Sequence, residues 1–280
     1  MKKGIYGLLF LACCALASAP ATAKPKPGWK IGVQAYSFRN GSFFQAVDLV
    51  KGLGLKYIEA YPGQTIGGGV SGTMDYHMDA ATRQKVLAYL RQQGVTLISY
   101  GVVDARSAAD WKKIFDFAKA MNLPTIVSEP QDNQIPLVSS LADQYHIDVA
   151  IHDEPRPDHY WTPDSVLAVL PMAGKRVGDC ADIGHWAYSG LNVVECLRKM
   201  EGRIMELHFK DVGNQEPSPE ETNVVWGTGH ANLEGALKEL LRQHFHGMLI
   251  IEYENNPTAN VAQIRQSLAY YNQTMARLTK

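Results

Sequence analysis

The chain is 280 residues long, with 27 Lys and Arg against 28 Asp and Glu, so its formal net charge of −1 gives a nucleic-acid backbone nothing to bind. With 46% hydrophobic residues and no low-complexity tract, it reads as a globular protein and not as a disordered or fibrous one. Of the four cysteines only Cys180 and Cys196 lie beyond the first 23 residues, and two cysteines do not make a disulfide-built scaffold.

The first element is a targeting signal. Lys2 and Lys3 precede an apolar run from Ile5 to Leu16, and Ala21-Thr22-Ala23 supplies the small-x-small pattern that signal peptidase reads. The run is too short for a bilayer span, which needs about 20 residues. Residues 1–23 are therefore expected to be removed on export, to a periplasm, leaving residues 24–280 as one domain. Phe10-Leu11-Ala12 ahead of Cys13 keeps lipoprotein anchoring as an alternative. No second hydrophobic span follows. A homo-oligomer is compatible with these features.

Short apolar or β-branched runs then predict strands at about 31–37, 57–61, 97–103, 125–129, 147–152, 177–182, 204–210 and 248–254. Between them, apolar residues recur at helical spacing, as in Phe44-Ala46-Val47-Leu49-Val50 and Trp111-Ile114-Phe115-Phe117-Ala118. Val193-Val194-Leu197 and Leu233-Ala236-Leu237-Leu240 follow the same rule. Gly52, Gly54, Gly94, Gly202 and Gly247 sit just before strands, where helices commonly stop. Strict strand–helix alternation implies a parallel sheet. Eight such units, in roughly the 250 residues typical of the fold, predict a closed (β/α)₈ barrel. Its active site is then expected at the C-terminal ends of the strands.

Two loops stand out. Gly67-Gly68-Gly69-Val70-Ser71-Gly72 spells G-x-G-x-x-G but lacks the strand immediately before it that a dinucleotide site requires. It reads as a mobile loop over the barrel mouth, a candidate lid. The polar stretch Gly213 to Asn223 reads as a loop after the seventh strand. No G-x-S-x-G, H-E-x-x-H or Walker sequence appears.

Residues two apart on a strand share a face. In the seventh strand, with Met205, Leu207 and Phe209 turned to the helices, Glu206, His208 and Lys210 must face the barrel interior. The eighth puts Glu252 and Glu254 on one face. The sixth ends in Asp182, followed by Gly184-His185-Trp186; the fifth ends in His152-Asp153-Glu154, and the fourth in Glu129-Pro130. Buried carboxylates and imidazoles are costly unless paired or metal-bound. Several strands delivering them to one end predict one divalent metal ion. Mixed imidazole and carboxylate ligands suit Mn²⁺, Co²⁺, Ni²⁺, Fe²⁺ or Zn²⁺.

At these residues the sequence resembles the xylose-isomerase-like barrel superfamily, often labelled sugar phosphate isomerase/epimerase. The resemblance rests on Asp182-Ile183-Gly184-His185-Trp186, His208-Phe209-Lys210-Asp211, Trp226-Gly227-Thr228-Gly229 and Ile251-Glu252-Tyr253-Glu254. It implies metal ligands at Asp182, His208 and Glu252, and a fourth on the fifth strand, where relatives often carry Glu. Here Ala150-Ile151-His152 puts His152 in that place. This puts a two-glutamate epimerase mechanism in doubt and makes Glu129 a candidate further ligand or base, with Glu154 behind it.

A Lewis-acid metal beside a carbonyl makes the neighbouring C–H acidic. Lys210 is the candidate charge partner of the developing oxyanion, and His185 the candidate proton shuttle. Gln34, Tyr61, Glu154, Trp186 and Trp226 are candidate contacts to a small sugar substrate, the aromatics as stacking platforms. Exported relatives that the sequence resembles are associated with 3-keto-glycosides, where loss of the C2 proton expels the C1 substituent. A 3-keto-glycoside lyase is thus the first expectation, and a keto-sugar isomerase or epimerase the second. A non-catalytic sugar-binding barrel is a third. An apurinic endonuclease, though within the superfamily, would need a basic DNA-binding face that this chain lacks.

Overall fold

Eight strands close on one another in parallel: β1 (Lys30–Gln34), β2 (Tyr57–Ala60), β3 (Thr96–Tyr100), β4 (Thr125–Ser128), β5 (Asp148–His152), β6 (Val177–Asp182), β7 (Ile204–Phe209) and β8 (Met248–Ile251). The ring is completed by β1, which pairs with β2 on one side and β8 on the other. The computed structural model describes residue 1 and residues 28–215, 222–254 and 260–280. The expected signal segment with Cys13 and Cys14, and residues 216–221 of the loop after β7, lie outside the described residues. No helix among the described residues is long and apolar enough to cross a membrane.

The helices are α1 (Phe43–Gly52), α2 (Ala80–Gln93), α3 (Ala108–Ala120), α4 (Ile135–Tyr145), α5 (Pro163–Val169), α6 (Ile183–Tyr188), α7 (Val193–Lys199), α8 (Leu233–Arg242) and α9 (Asn260–Leu278). Their starts are set by side-chain caps: Ser42 forms a capping box with Gln45, and Asp79, Ser107 and Asn192 accept from amides of their first turns. Gly94 ends α2 in the left-handed region, at φ 68°, where a side chain would be strained. The apolar stripes face the barrel. In α3 the buried set is Trp111, Ile114, Phe115, Phe117 and Ala118, each large member worth about 1.5–3 kcal/mol of burial.

The barrel interior changes character from bottom to top. At the N-terminal end it is apolar, with Tyr57, Ile98, Met248 and Ile250 in one cluster and Val127, Ala150 and Cys180 in another. Above them β7 pairs with β8 as Glu206 to Met248 and His208 to Ile250, which carries the inward face of β7 upward into polar residues. Glu59, Ser99 and Glu206, all fully buried, form a polar layer within the barrel, where Ser99 Oγ donates to Glu206 at 2.8 Å. His152, Asp182 and His208 lie above, at the strand ends.

The glycine run is not a free loop. Thr65–Gly67 and Val70–Thr73 pair as an antiparallel hairpin leaning on α1. Gly67 and Gly68, both at positive φ, sit so close to Ser42 and Phe44 that a Cβ would come within 2.2 and 2.7 Å of them. The lid expectation is corrected accordingly: this run contributes no residue to the pocket lining described below. The two cysteines among the described residues, Cys180 and Cys196, are buried and reduced.

Outside the barrel wall, Asp153 and Asp179 are both fully buried, and no oxygen of either accepts a hydrogen bond. Burial, reinforced by the facing carboxylate, pushes Asp153 well up; burial pushes Asp179 up to about 7. The folded protein therefore binds more protons here than the unfolded chain, and stability is lost as pH rises from about 4 toward 7. Asp179→Asn is expected to raise the melting midpoint at pH 8 by about 2–8 °C. That corresponds to about 1–2 kcal/mol of relieved burial cost at about 2–4 °C per kcal/mol. At about pH 3, below the ordinary Asp value, where the carboxyl is mostly neutral in both states, the gain should vanish. Melts at the two pH values decide it, and an equal shift at both would sink the account.

Candidate metal centre

Two imidazoles meet at the top of the barrel. His152 Nε2, from the end of β5, lies 3.2 Å from His208 Nδ1 on β7. Asp182 Oδ2, at the end of β6, is 3.6 Å from the first and 3.7 Å from the second. Glu252, just after β8, places Oε2 3.2 Å from His208 Nδ1. Asp182 is held in place because its other oxygen caps α6, accepting from His185 N at 2.9 Å. Its Oδ2 is fully buried, where Lys210 Nζ lies 3.0 Å from it. Ligand atoms of His152, Asp182 and His208 thus lie within 4.8 Å of one another, with Glu252 adjoining His208, and the inner nitrogens cannot both carry a proton at 3.2 Å. This donor set fits a borderline divalent cation.

The electrostatics agree. Burial works against the charged forms of both rings, but Asp182, Glu129 and Glu154 around His152, and Cys180, Glu59, Glu252 and Asp182 around His208, outweigh it and push both well up. Burial alone would raise Asp182, yet His185, Lys210, His152 and His208 hold it well below the usual carboxylate range. Glu252 is lowered in the same way, burial being overcome by Lys210 and His208. Positive charge is wanted here.

A pocket of about 300 Å³ opens onto the cluster, lined on its polar side by His152, Glu154, His185, His208, Glu252 and Glu254. Tyr36, Tyr61, Pro62 and Val102 form the opposite, largely apolar side. Tyr36 is 37% exposed, unusual for a large aromatic in this chain, and meets Tyr61 edge-on with centroids 5.1 Å apart.

The other expected residues fall in three places. His185, Glu154, Tyr61 and Gln34 line the pocket. The Gln34 amide, however, is committed to the backbone: Nε2 donates to Gly101 O at 3.1 Å and Oε1 accepts from Tyr36 N. His185 Nδ1 donates to Asp153 O at 2.7 Å, so Nε2 is left as the acceptor, 3.0 Å from Lys210 Nζ. Glu129 stands behind His152, its Oε1 3.0 Å from Nδ1, and faces a separate cavity with Pro130, Asp132 and Tyr160. Burial raises the Glu129 carboxyl.

Three expectations need correction. Lys210 does not face the pocket: it is fully buried beneath the lining, 3.0 Å from both Asp182 and Glu252 and in contact with Glu254. Its stem runs against Gly184, where a Cβ would come within 2.2 Å of Lys210 Cγ. Trp186 and Trp226 are no substrate platforms. Both are buried in the helix-side core, Trp226 edge-on to Phe209, and neither lines the pocket. The turn carrying Trp226 is built by Asp211, whose carboxylate accepts from the amides of Gly227, Gly229 and Ala231.

One functional neighbour was missed. Glu59 on β2, fully buried, has Oε2 3.0 Å from His208 Nε2. A lone acid inside the short run Tyr57-Ile58-Glu59-Ala60 was the available signal.

Residues 47–274 match the family described as the xylose isomerase-like TIM barrel. An inosose dehydratase of Clostridium botulinum is 32% identical over 90 residues, a stretch spanning 28% of this chain and 30% of that protein. An uncharacterised protein of Parabacteroides distasonis, known from its crystal structure, is 30% identical across 88% of this chain and 98% of its own, with a TM-score of 0.71. The IOLI protein, solved with a bound zinc atom, shares the fold at a TM-score of 0.72 and 13% identity, covering 89% of this chain and 99% of that one.

Proposed function

The chain belongs to the xylose isomerase-like TIM-barrel family, and from that premise we propose that it is a metal-dependent enzyme that enolises a keto-sugar and eliminates the substituent β to the carbonyl, as in a 3-keto-glycoside lyase. The observation that carries the reading is the convergence of His152, Asp182, His208 and Glu252 beneath a pocket with one apolar and one polar side. The pocket, about 300 Å³, lies at the low end of ligand sites, room for one sugar ring.

His152, Asp182, His208 and Glu252 hold the cation. When bound, it supplies Lewis acidity to the substrate carbonyl oxygen, lowering the cost of the negative charge that develops there. Glu154 lines the pocket and is held to about 2 because His152, His185 and Lys210 outweigh its burial, so it is ionised at neutral pH. It is better placed than Glu129, which is screened by His152, to take the proton from the carbon next to the carbonyl. As that C–H bond breaks, its electron pair forms the carbon–carbon double bond and the C1–oxygen bond breaks. The departing oxygen takes the proton that Glu154 has just removed from carbon, while His185, its ring fixed by Asp153 O and its Nε2 accepting from Lys210, lines the same pocket. Tyr36 and Tyr61, set edge-on to each other, offer the ring's C–H groups an aromatic wall.

The named dehydratase among the similar proteins favours elimination over isomerisation, since dehydration is itself an elimination. Export to the periplasm after loss of residues 1–23 remains part of the proposal, and suits a glycoside better than a sugar phosphate. The test is to strip the protein of metal, add Mn²⁺, Co²⁺, Ni²⁺ or Zn²⁺, and follow a 3-keto-glycoside by NMR in D₂O. Metal-dependent release of the aglycone is expected. Deuterium entering beside the carbonyl without release would replace elimination by isomerisation or epimerisation. Neither event with any metal would overturn the enolisation reading.

A further inference from the structure

The inner nitrogen of His208 can face a cation only if the outer nitrogen carries the ring proton. Imidazole has two nitrogens and, when neutral, one proton, so whatever the outer nitrogen touches selects the tautomer. For His208 the outer atom is Nε2, and it points down into the barrel, where water does not reach: the ring is 1% exposed. What it meets is a carboxylate, Glu59 Oε2, at 3.0 Å. Glu59 arrives from β2, across the barrel from β7, and is itself 0% exposed. Gln34 on β1 pairs with it in register, and Ser99 on β3 lies on its other side.

We propose that Glu59 is the positioning residue of this centre: it accepts the His208 Nε2–H, fixes the ring, and leaves Nδ1 as the lone pair aimed at the cluster of His152, Asp182 and Glu252. The proposal rests on the reading of His208 as a metal ligand. Carboxylates or carbonyls behind ligating histidines commonly play this part, and their loss costs about 10- to 100-fold in metal affinity. Two further features mark Glu59 as more than buried filler. A buried carboxylate with no such duty is a cost, which an apolar residue at the same place would avoid. The same carboxylate also has Glu206 beside it, with ligating atoms of Glu59, Glu206 and His208 all within 4.8 Å of one another, and Glu206 is tied to Ser99 at 2.8 Å. Glu59 therefore reaches the ligand from β2 across the closed barrel, so that closure sets the angle of the ring.

The inner nitrogen of His152 is arranged in the same sense by Glu129, but that carboxylate is partly exposed at the mouth. Glu59 is sealed in, so solvent cannot replace it. This asymmetry is what the variants exploit.

The wild-type protein supplies the first measurement. In its zinc-loaded form, histidine-detected ¹H–¹⁵N NMR is expected to show His208 protonated at Nε2, with a proton slow to exchange. A ring protonated at Nδ1 with Nε2 bare would overturn the proposal without any substitution. Zinc affinity by chelator competition is then compared across Glu59→Gln and Glu59→Leu. The amide oxygen of Gln still accepts the ring proton, so Glu59→Gln should stay within about tenfold of wild type. Glu59→Leu should lose about 10- to 100-fold and broaden or lose the Nε2–H signal. Equal affinity in Leu, Gln and wild type would overturn the role of Glu59, while failure of the wild type itself to bind zinc would overturn the metal reading instead.

Discussion

His208→Ala is expected to abolish metal-dependent turnover and weaken metal binding by about 100- to 1,000-fold, taking a four-ligand site worth about 10–16 kcal/mol as shared among its ligands. The magnitude follows from position. Among the proposed ligands, His208 Nδ1 lies 3.2 Å from both His152 Nε2 and Glu252 Oε2, so its loss removes the centre of the donor set and not an edge. Binding must also displace protons, because Cys180 and the carboxylates around the two rings push His152 and His208 up against the effect of burial. Apparent affinity in the wild type should therefore rise with pH through the neutral range, with proton release on binding, and the alanine variant should show a shallower slope. Calorimetry in two buffers of different ionisation enthalpy reads both quantities. An affinity unchanged in His208→Ala would remove this residue from the centre, and circular dichroism separates that result from simple unfolding.

The sequence made this cluster legible because β-strands repeat every two residues. Once Leu207 and Phe209 are assigned to the helix side, Glu206, His208 and Lys210 have only the interior left, and they are all buried there. Met205, expected on the helix side, packs instead against the interior cluster of Val127, Ala150 and Cys180, beside an irregularity in the pairing of β6 with β7. Strand ends were less legible. The first strand was expected to run to residue 37 but stops at Gln34, whose side chain accepts from Tyr36 N and turns the chain into a short 3₁₀ segment, Ala35–Phe38. That bond is a local side-chain choice that hydrophobic periodicity does not encode. The tryptophans failed for another reason. Trp186 is on α6, a helix of six residues that are all buried, so no periodicity distinguishes the pocket side from the core side. Glu59 is invisible for a third: its partner lies 149 positions away, and only closure of the barrel brings β2 and β7 to opposite sides of one interior. Alternation tells which face a residue takes; it does not tell what waits on the other side.

Lys210 lies where those limits meet, inward as expected yet beneath the lining and not in it, and its removal is the second large effect expected. Its ammonium, 0% exposed, is 3.0 Å from Asp182 and from Glu252 and touches Glu254. Two of those carboxylates are proposed metal ligands, so in the metal-free protein Lys210 supplies the positive charge that the cluster wants. Lys210→Met keeps much of the stem against Gly184 and deletes the charge. Breaking a buried ion pair from one side costs about 3–5 kcal/mol. At about 2–4 °C per kcal/mol, the metal-free melting midpoint should fall by about 6–20 °C. Saturating zinc should restore a large part of the loss, because a cation returns to Asp182 and Glu252 the charge that Met cannot give. The zinc-induced rise in midpoint should therefore be larger in Lys210→Met than in wild type. An equal fall in both states would mean that Lys210 matters through packing alone, and that the cation and the ammonium do not serve the same carboxylates.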